Sequence, residues 1–287
     1  MKPLADWPAE ARRRITGVFT DIDDTLTHEG HIAPEALQAL GDLKAAGLTV
    51  IPITGRPIGW CEPFVAGTLG SAWPVDAMVA ENGAVAFAPD CSGEANSSPI
   101  GLQPTQNMRK ALSKRYQQTA AERTANQARM HAIAAQVVAE VPGVELSRDS
   151  AGRETDLAFD YAEFAQHPPE TVHRVLALLQ SHGMQTTVSS IHIHGCFGDF
   201  NKWTGACWIV RELLGRDLAA EADHWAFVGD SGNDQVMFQH LPQSIGVANI
   251  ARFAPQLTHL PAYVTPSARG AGFAEVARAL LAAQHHG

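Results

Sequence analysis

Three short apolar runs in the first eighty residues each stop at a polar turn, and this constrains the fold more than any other feature of the chain. Residues 16–20 read as a buried strand ending at Asp21. Pro34 opens a helix in which Leu37, Leu40, Leu43 and Ala46 recur at three-residue steps, and Gly47 ends it. Residues 48–53 form a second buried strand, closed by Thr54-Gly55-Arg56-Pro57. Residues 77–80 form a third, closed by Glu81-Asn82-Gly83. This β-α-β-α-β rhythm predicts an α/β fold with a parallel sheet and helical crossovers.

The rhythm then breaks. Residues 89–104 are rich in Gly, Ser and Pro and read as a loop, and residues 106–140 are mostly helical in composition. Residues 155–161 alternate as a strand, with Leu157, Phe159 and Tyr161 on one face and Asp156, Ala158 and Asp160 on the other. Residues 168–182 read as a helix ending at Gly183, and residues 186–194 as strand with a turn inside or near it. After Gly195 the α/β pattern returns. Helices are expected at 201–214, 232–240 and 272–283, with strands at 225–228, 244–247 and 262–264. The simplest organisation is a core made of residues 1–86 and 197–287, split by an inserted α+β unit at 87–196. Linkers near 84–88 and 195–199 would then act as hinges. No internal repeat is present.

A net charge of −9 makes a nucleic-acid backbone an unsuitable partner, although local cations and a metal can still admit a small anion. Cys61, Cys91, Cys196 and Cys207 have no C-x-x-C spacing and read as reduced packing thiols. Residues 1–14 carry charges and no apolar secretory core, and no run reaches the roughly 18 apolar residues of a membrane span. The expectation is a cytoplasmic protein with no membrane partner, as a monomer or homodimer.

The chemistry-bearing residues fall at expected strand ends and helix starts. Asp21-x-Asp23-x-Thr25 follows the first strand, and alternation lets Asp21 and Asp23 project the same way. Thr54 follows the second strand, Lys202 starts a core helix, and Gly229-Asp230-Ser231-Gly232-Asn233-Asp234 follows a later strand. Open parallel sheets bind ligands outside the carboxyl ends of their strands. Crowded carboxylates need a cation, and Mg²⁺ takes oxygen ligands. A carboxylate nucleophile, a metal, a lysine and a hydroxyl donor are the parts that phosphoryl transfer requires. The backbone amides after Asp21 and Thr54, Gly55 among them, can cradle phosphoryl oxygens.

In this order, the motifs resemble the haloacid dehalogenase superfamily. The insertion between Thr54 and Lys202 resembles its type-II-capped branch of Cof-like and sugar-phosphate phosphatases, as do Glu81-Asn82-Gly83-Ala84 and Gly246-Val247-Ala248-Asn249. The resemblance implies a Rossmann-like core with a cap, and a Mg²⁺-dependent phosphatase that forms an aspartyl-phosphate. It implies Asp21 as nucleophile and metal ligand, and Asp23 as acid and base whose backbone carbonyl binds the metal. Asp230 would bind Mg²⁺, Asp234 would support it directly or through water, and Thr54 and Lys202 would hold the phosphoryl group. The substrate would be a small phosphorylated metabolite, a sugar phosphate by preference. A phosphomutase and a non-catalytic phosphometabolite-binding regulator are the rivals. Two departures stand out: Asp24 where glycine is frequent, and Trp203 after the lysine.

Alone, each motif has a plainer reading. Asp-x-Asp-x-Thr can be a polar turn, Thr54 a helix N-cap and Lys202 a surface lysine. In the inserted unit Arg153, His192 and His194 are candidate substrate contacts, with packing against polar neighbours as the alternative. His192 and His194 share a strand face but lack an evident third metal ligand. Trp203 and Trp208 read as packing residues, and His285 and His286 as residues without a function.

Overall fold

The computed structural model describes residues 1–89 and 112–284. The N-terminal part runs β1 (Lys2–Pro3), α1 (Ala9–Arg13), β2 (Gly17–Thr20), the hairpin β3 (Thr27–His28) and β4 (His31–Ile32), then α2 (Pro34–Ala45), β5 (Thr49–Pro52), α3 (Ile58–Ala66), β6 (Met78–Ala80) and β7 (Val85–Pro89). Next come β8 (Leu112–Tyr116), α4 (Ala120–Glu140), β9 (Asp156–Asp160), α5 (Pro169–Ser181), β10 (Gln185–Val188) and β11 (His192–Cys196). The chain returns through α6 (Lys202–Leu214), β12 (Trp225–Gly229), α7 (Gln235–His240), β13 (Gln243–Gly246), β14 (Tyr263–Val264) and α8 (Arg269–Gln284). No helix among the described residues is long and apolar enough to cross a membrane.

The main sheet is parallel, in the order β1-β14-β13-β12-β2-β5. A parallel bridge between Ile53 and Val79 passes the sheet on to β6, and β6-β7-β8 continue it antiparallel. Its central strands are buried on both faces. Val18, Val50 and Val228 pack on one side with Leu40 of α2 and Phe273 of α8. Phe19, Ile51 and Phe227 pack on the other with Ile209 of α6 and Met237 of α7. The expected α/β core is therefore present.

The inserted region carries its own antiparallel sheet, β10-β11-β9. Leu157, Phe159 and Ile193 project to one face and form a core with Met130 and Val137 of α4 and Leu179 of α5. Period-two alternation sends Asp156, His192 and His194 to the opposite face.

Three expectations need correction. Residues 112–116 form a strand, because pairing with β7 overrides their helical composition. Residues 85–89 do not form a free linker: β7 is hydrogen-bonded on both sides, and residue 87 lies inside it. The glycine-rich turn starting at Gly232 begins as a 3₁₀ turn, with α7 following only at Gln235. The loop expected at 89–104, the start of the expected helix at 106, Cys91, His285 and His286 lie wholly or largely outside the described residues.

The start of α6 is fixed by two devices. Asn201 accepts from the Thr204 amide at 3.0 Å, and the Thr204 hydroxyl oxygen accepts from the Asn201 amide at 3.0 Å, closing a capping box. Gly205 lies against Gly83, so close that a Cβ on Gly205 would stand 2.4 Å from the Gly83 Cα. Gly205→Ala should therefore destabilise the protein by about 1–3 kcal/mol despite alanine's better helix propensity. Urea unfolding measures this, and an unchanged midpoint would mean that the close approach is dispensable.

Candidate active site

Parallel pairing sets Asp21, Thr54 and Asp230 side by side, because each follows the last residues of an adjacent strand or its edge. The Asp21 amide donates to the Val228 carbonyl at 2.8 Å, and the Ile53 amide to the Thr20 carbonyl at 2.8 Å. Lys202, in the first turn of α6, is fully buried, and its Nζ donates to Asp21 Oδ1 at 2.5 Å and Asp234 Oδ1 at 2.7 Å. Asp234 Oδ2 accepts from the amides of Asp230 and Ser231 at 2.8 and 2.9 Å. Asp234 thus organises the turn that carries Asp230.

Asp21, Asp230 and Asp234 offer carboxylate oxygens within 4.8 Å of one another, all buried. One lysine cannot neutralise three acids. Burial, together with the charges of Asp234 and Asp23, pushes the Asp21 pKa up to about 8 against the pull of Lys202. Burial and the charge of Asp21 push Asp230 well above the carboxylate range. Asp230 Oδ2 accepts from Asn249 Nδ2 at 2.7 Å, while its buried Oδ1 has no protein partner. Buried carboxylate oxygens with an orphan among them are a donor set that fits a hard divalent cation.

Asp23 turns elsewhere. Its carboxylate accepts from Arg56 Nε at 3.0 Å and Nη2 at 2.9 Å. Arg56 also reaches Asp149 at 3.1 Å and Glu163 at 2.8 Å, both from the inserted region. Reading the sequence missed Arg56, Asp149 and Glu163 as site residues. The signal for Arg56 was its place directly after the strand-end Thr54-Gly55. Thr54 is fully buried, and its Oγ1 accepts from the Arg56 amide at 3.0 Å.

His194 lies on the phosphoryl-cradle candidate Gly55, where a Cβ would stand 3.0 Å from its ring. Its Nδ1 pairs with Asp156 at 3.1 Å, and burial with nearby Arg153 holds its pKa well below the ordinary imidazole value, so the ring is neutral. His192 Nε2 pairs with Glu163 at 2.8 Å. Arg153 is buried and committed to Asp156 at 2.9 Å, Asp149 at 3.2 Å and the Gly55 carbonyl at 3.0 Å. Ser189, Ser190 and Ile191, in the turn between β10 and β11, close over Asp21 and Asp23 and leave a cavity of about 10 Å³, room for at most about one water. An adjoining cleft of about 700 Å³ runs from Asp23 and Arg56 past Tyr161 and Phe164.

Glu81 joins the two regions. Its φ of +49° lies in the left-handed region, and Asn82 beside it is at +53°. Its buried carboxylate accepts from the Ile58 amide at 3.0 Å and, across the interface, from the Thr155 amide at 2.6 Å, the Thr155 hydroxyl and the Asp156 amide at 3.2 Å. Burial and the Asp156 carboxylate push its pKa up to about 7, against the Thr155 and Ile58 hydrogen bonds and Arg153.

A family model described as haloacid dehalogenase-like hydrolase matches residues 18–191. No curated protein sequence matches the chain. Among solved structures, Thermoplasma acidophilum 0175 aligns with a TM-score of 0.67 at 17% identity, covering 93% of this chain and 98% of its own. The sucrose-phosphatase from Synechocystis sp. PCC6803, solved with sucrose and phosphate, aligns at 0.63 and 15% identity, covering 93% and 98%. The haloacid dehalogenase subclass IIB sugar phosphatase BT4131 aligns at 0.57 and 17%, covering 94% and 98%. At these identities the likeness shows the fold: a parallel-sheet core with an inserted antiparallel cap.

The raised pKa of Glu81 has a consequence for stability. A carboxyl whose folded-state pKa exceeds its unfolded value, here about 7 against 4.5, contributes stability below the lower value and loses it as pH rises through the higher. Glu81→Gln mimics the protonated form, so it should match the wild type near pH 4 and become relatively more stable by pH 8. Chemical denaturation across that range measures this. A wild type that gains on the variant with rising pH would show that the amide donors keep Glu81 ionised.

Proposed function

The chain belongs to the haloacid dehalogenase-like hydrolase family, and on that premise we propose that it is a Mg²⁺-dependent phosphomonoesterase acting on a small phosphorylated metabolite, a sugar phosphate by preference. The observation that carries this reading is the charge-deficient cluster of Asp21, Asp230 and Asp234 around Lys202, with Asp230 Oδ1 left unpartnered. The sucrose-phosphatase and the sugar phosphatase among its structural neighbours favour the sugar.

In this reading Asp21 attacks phosphorus, the ester oxygen leaves, and Asp23 gives that oxygen a proton. Water then attacks the aspartyl-phosphate while Asp23 takes a proton back, releasing inorganic phosphate and restoring Asp21. Lys202 holds Asp21 and adds positive charge beside the phosphoryl oxygens, and Thr54 with the Gly55 amide cradles them. Asp21, Asp230 and the Asp23 carbonyl would hold Mg²⁺, with Asp234 directly or through water, and the bound cation would offset the repulsion between two anions.

Residues 1–86 and 197–287 act as the catalytic core and 87–196 as the cap, with the β7–β8 hairpin still paired to β6 at the base of the insertion. The narrow space over Asp21 supports a closed arrangement that opens to admit substrate. His192 and His194 face the incoming molecule from the cap. Arg153 acts through Asp156 and the Gly55 carbonyl, to which it is already committed.

A phosphate-release screen over phosphorylated metabolites, without any added bisphosphate, should find turnover of a sugar phosphate. Transfer without net release would favour a mutase, and binding without turnover a regulator. Asp21→Asn should lower turnover by more than about 10³-fold while leaving the protein folded. Chelation should silence the enzyme and Mg²⁺ restore it, whereas full activity in excess chelator would sink the metal assignment.

A further inference from the structure

Asp24 takes no part in the chemistry assigned above, yet both its backbone and its side chain are committed. Its φ of +55° lies in the region that favours glycine. A glycine could adopt that turn, but it could not make the contacts that follow. The Asp24 carboxylate accepts from Arg269 Nε at 2.8 Å and, more weakly, from exposed Arg252 at 3.3 Å. The Asp24 carbonyl accepts from Asn249 Nδ2 at 3.0 Å. Asn249 Oδ1 in turn accepts from the Arg269 amide at 3.0 Å. These bonds form a closed ring that joins the turn after β2, the turn after β13 and the first residue of α8.

One further bond leaves the ring. Asn249 Nδ2 also donates to Asp230 Oδ2 at 2.7 Å. That bond fixes one oxygen of Asp230, and the other stays buried and unpartnered within the acid cluster. The ring also holds the Asp24 carbonyl, one peptide beyond Asp23.

We propose that Asp24, Arg269 and Asn249 are positioning residues that orient the Asp230 carboxylate for a divalent cation, with the Asp24 side chain locking the ring. The inference rests on the metal reading given above. Groups that orient a metal's ligands typically change its affinity by roughly 10–100-fold when removed.

The test is calorimetric titration of Mg²⁺ into the metal-free full-length protein, alongside thermal melting. Asn249→Ala should weaken Mg²⁺ binding by about 10–100-fold, and Asp24→Asn and Arg269→Gln by about 10-fold. Asp24→Asn keeps the turn, because asparagine tolerates positive φ, and removes the charge and one of the two acceptor oxygens. Turnover lost at limiting Mg²⁺ should return as Mg²⁺ is raised. Because they act in one ring, Asp24→Asn and Arg269→Gln combined should bind no more weakly than the weaker single variant. Wild-type Mg²⁺ affinity in Asp24→Asn, a fall in melting temperature alone, or a loss that Mg²⁺ does not recover would overturn the proposal. A wild type that takes up no Mg²⁺ would overturn both this inference and the metal reading. Binding by the wild type with unaltered variants would overturn this inference alone.

Discussion

Three buried carboxylates crowd together where one buried lysine pairs with only two of them, and much of the site follows from that imbalance. Lys202 bridges Asp21 and Asp234, the Asp230 and Ser231 amides hold the far side of Asp234, and Asp230 keeps an oxygen in reserve. Burying like charges this closely is unfavourable, so metal-free protein must retain protons on the cluster. The parallel sheet makes the crowding unavoidable, because adjacent strands deliver their carboxyl ends to one edge. The capping box of α6 and the Gly83–Gly205 contact then bring the lysine to meet them.

A second set of buried charges ties the cap to this edge. Arg56 spans Asp23 of the core and Asp149 and Glu163 of the cap, and Glu81 gathers cap amides into a core turn. Losing the cap partners would leave Arg56 with Asp23 alone and Glu81 with the Ile58 amide, so each buried group would be less well satisfied. The same guanidinium therefore contacts both the strand-end acid and the cap.

Much of the core was legible in the sequence. The strands after residues 16 and 48, the helix opened by Pro34 and the strand at Trp225 carry strong local signals: apolar runs, a proline start and polar ends. The residues at strand ends were legible for the same reason, since a motif on a strand end needs only the strand to be placed. What failed was β7–β8, where an apolar stretch and a basic one become strands through pairing with each other and with β6. Arg56, Glu163 and Asp149 were missed because their roles exist only across an interface between segments about a hundred residues apart in sequence.

The sequence by itself determined the α/β core, the inserted α+β region and the order of the strand-end motifs, because local periodicity and strand-end chemistry are written in neighbouring residues. It also exposed the departure at Asp24 without saying where its charge points. Only the tertiary structure decided that Asp24 faces Arg269, that Asp23 faces Arg56, and that His194 lies on Gly55. Those directions depend on which distant side chains the fold brings into a buried space, where each charge must find a partner or a proton. A linear pattern holds no record of that space.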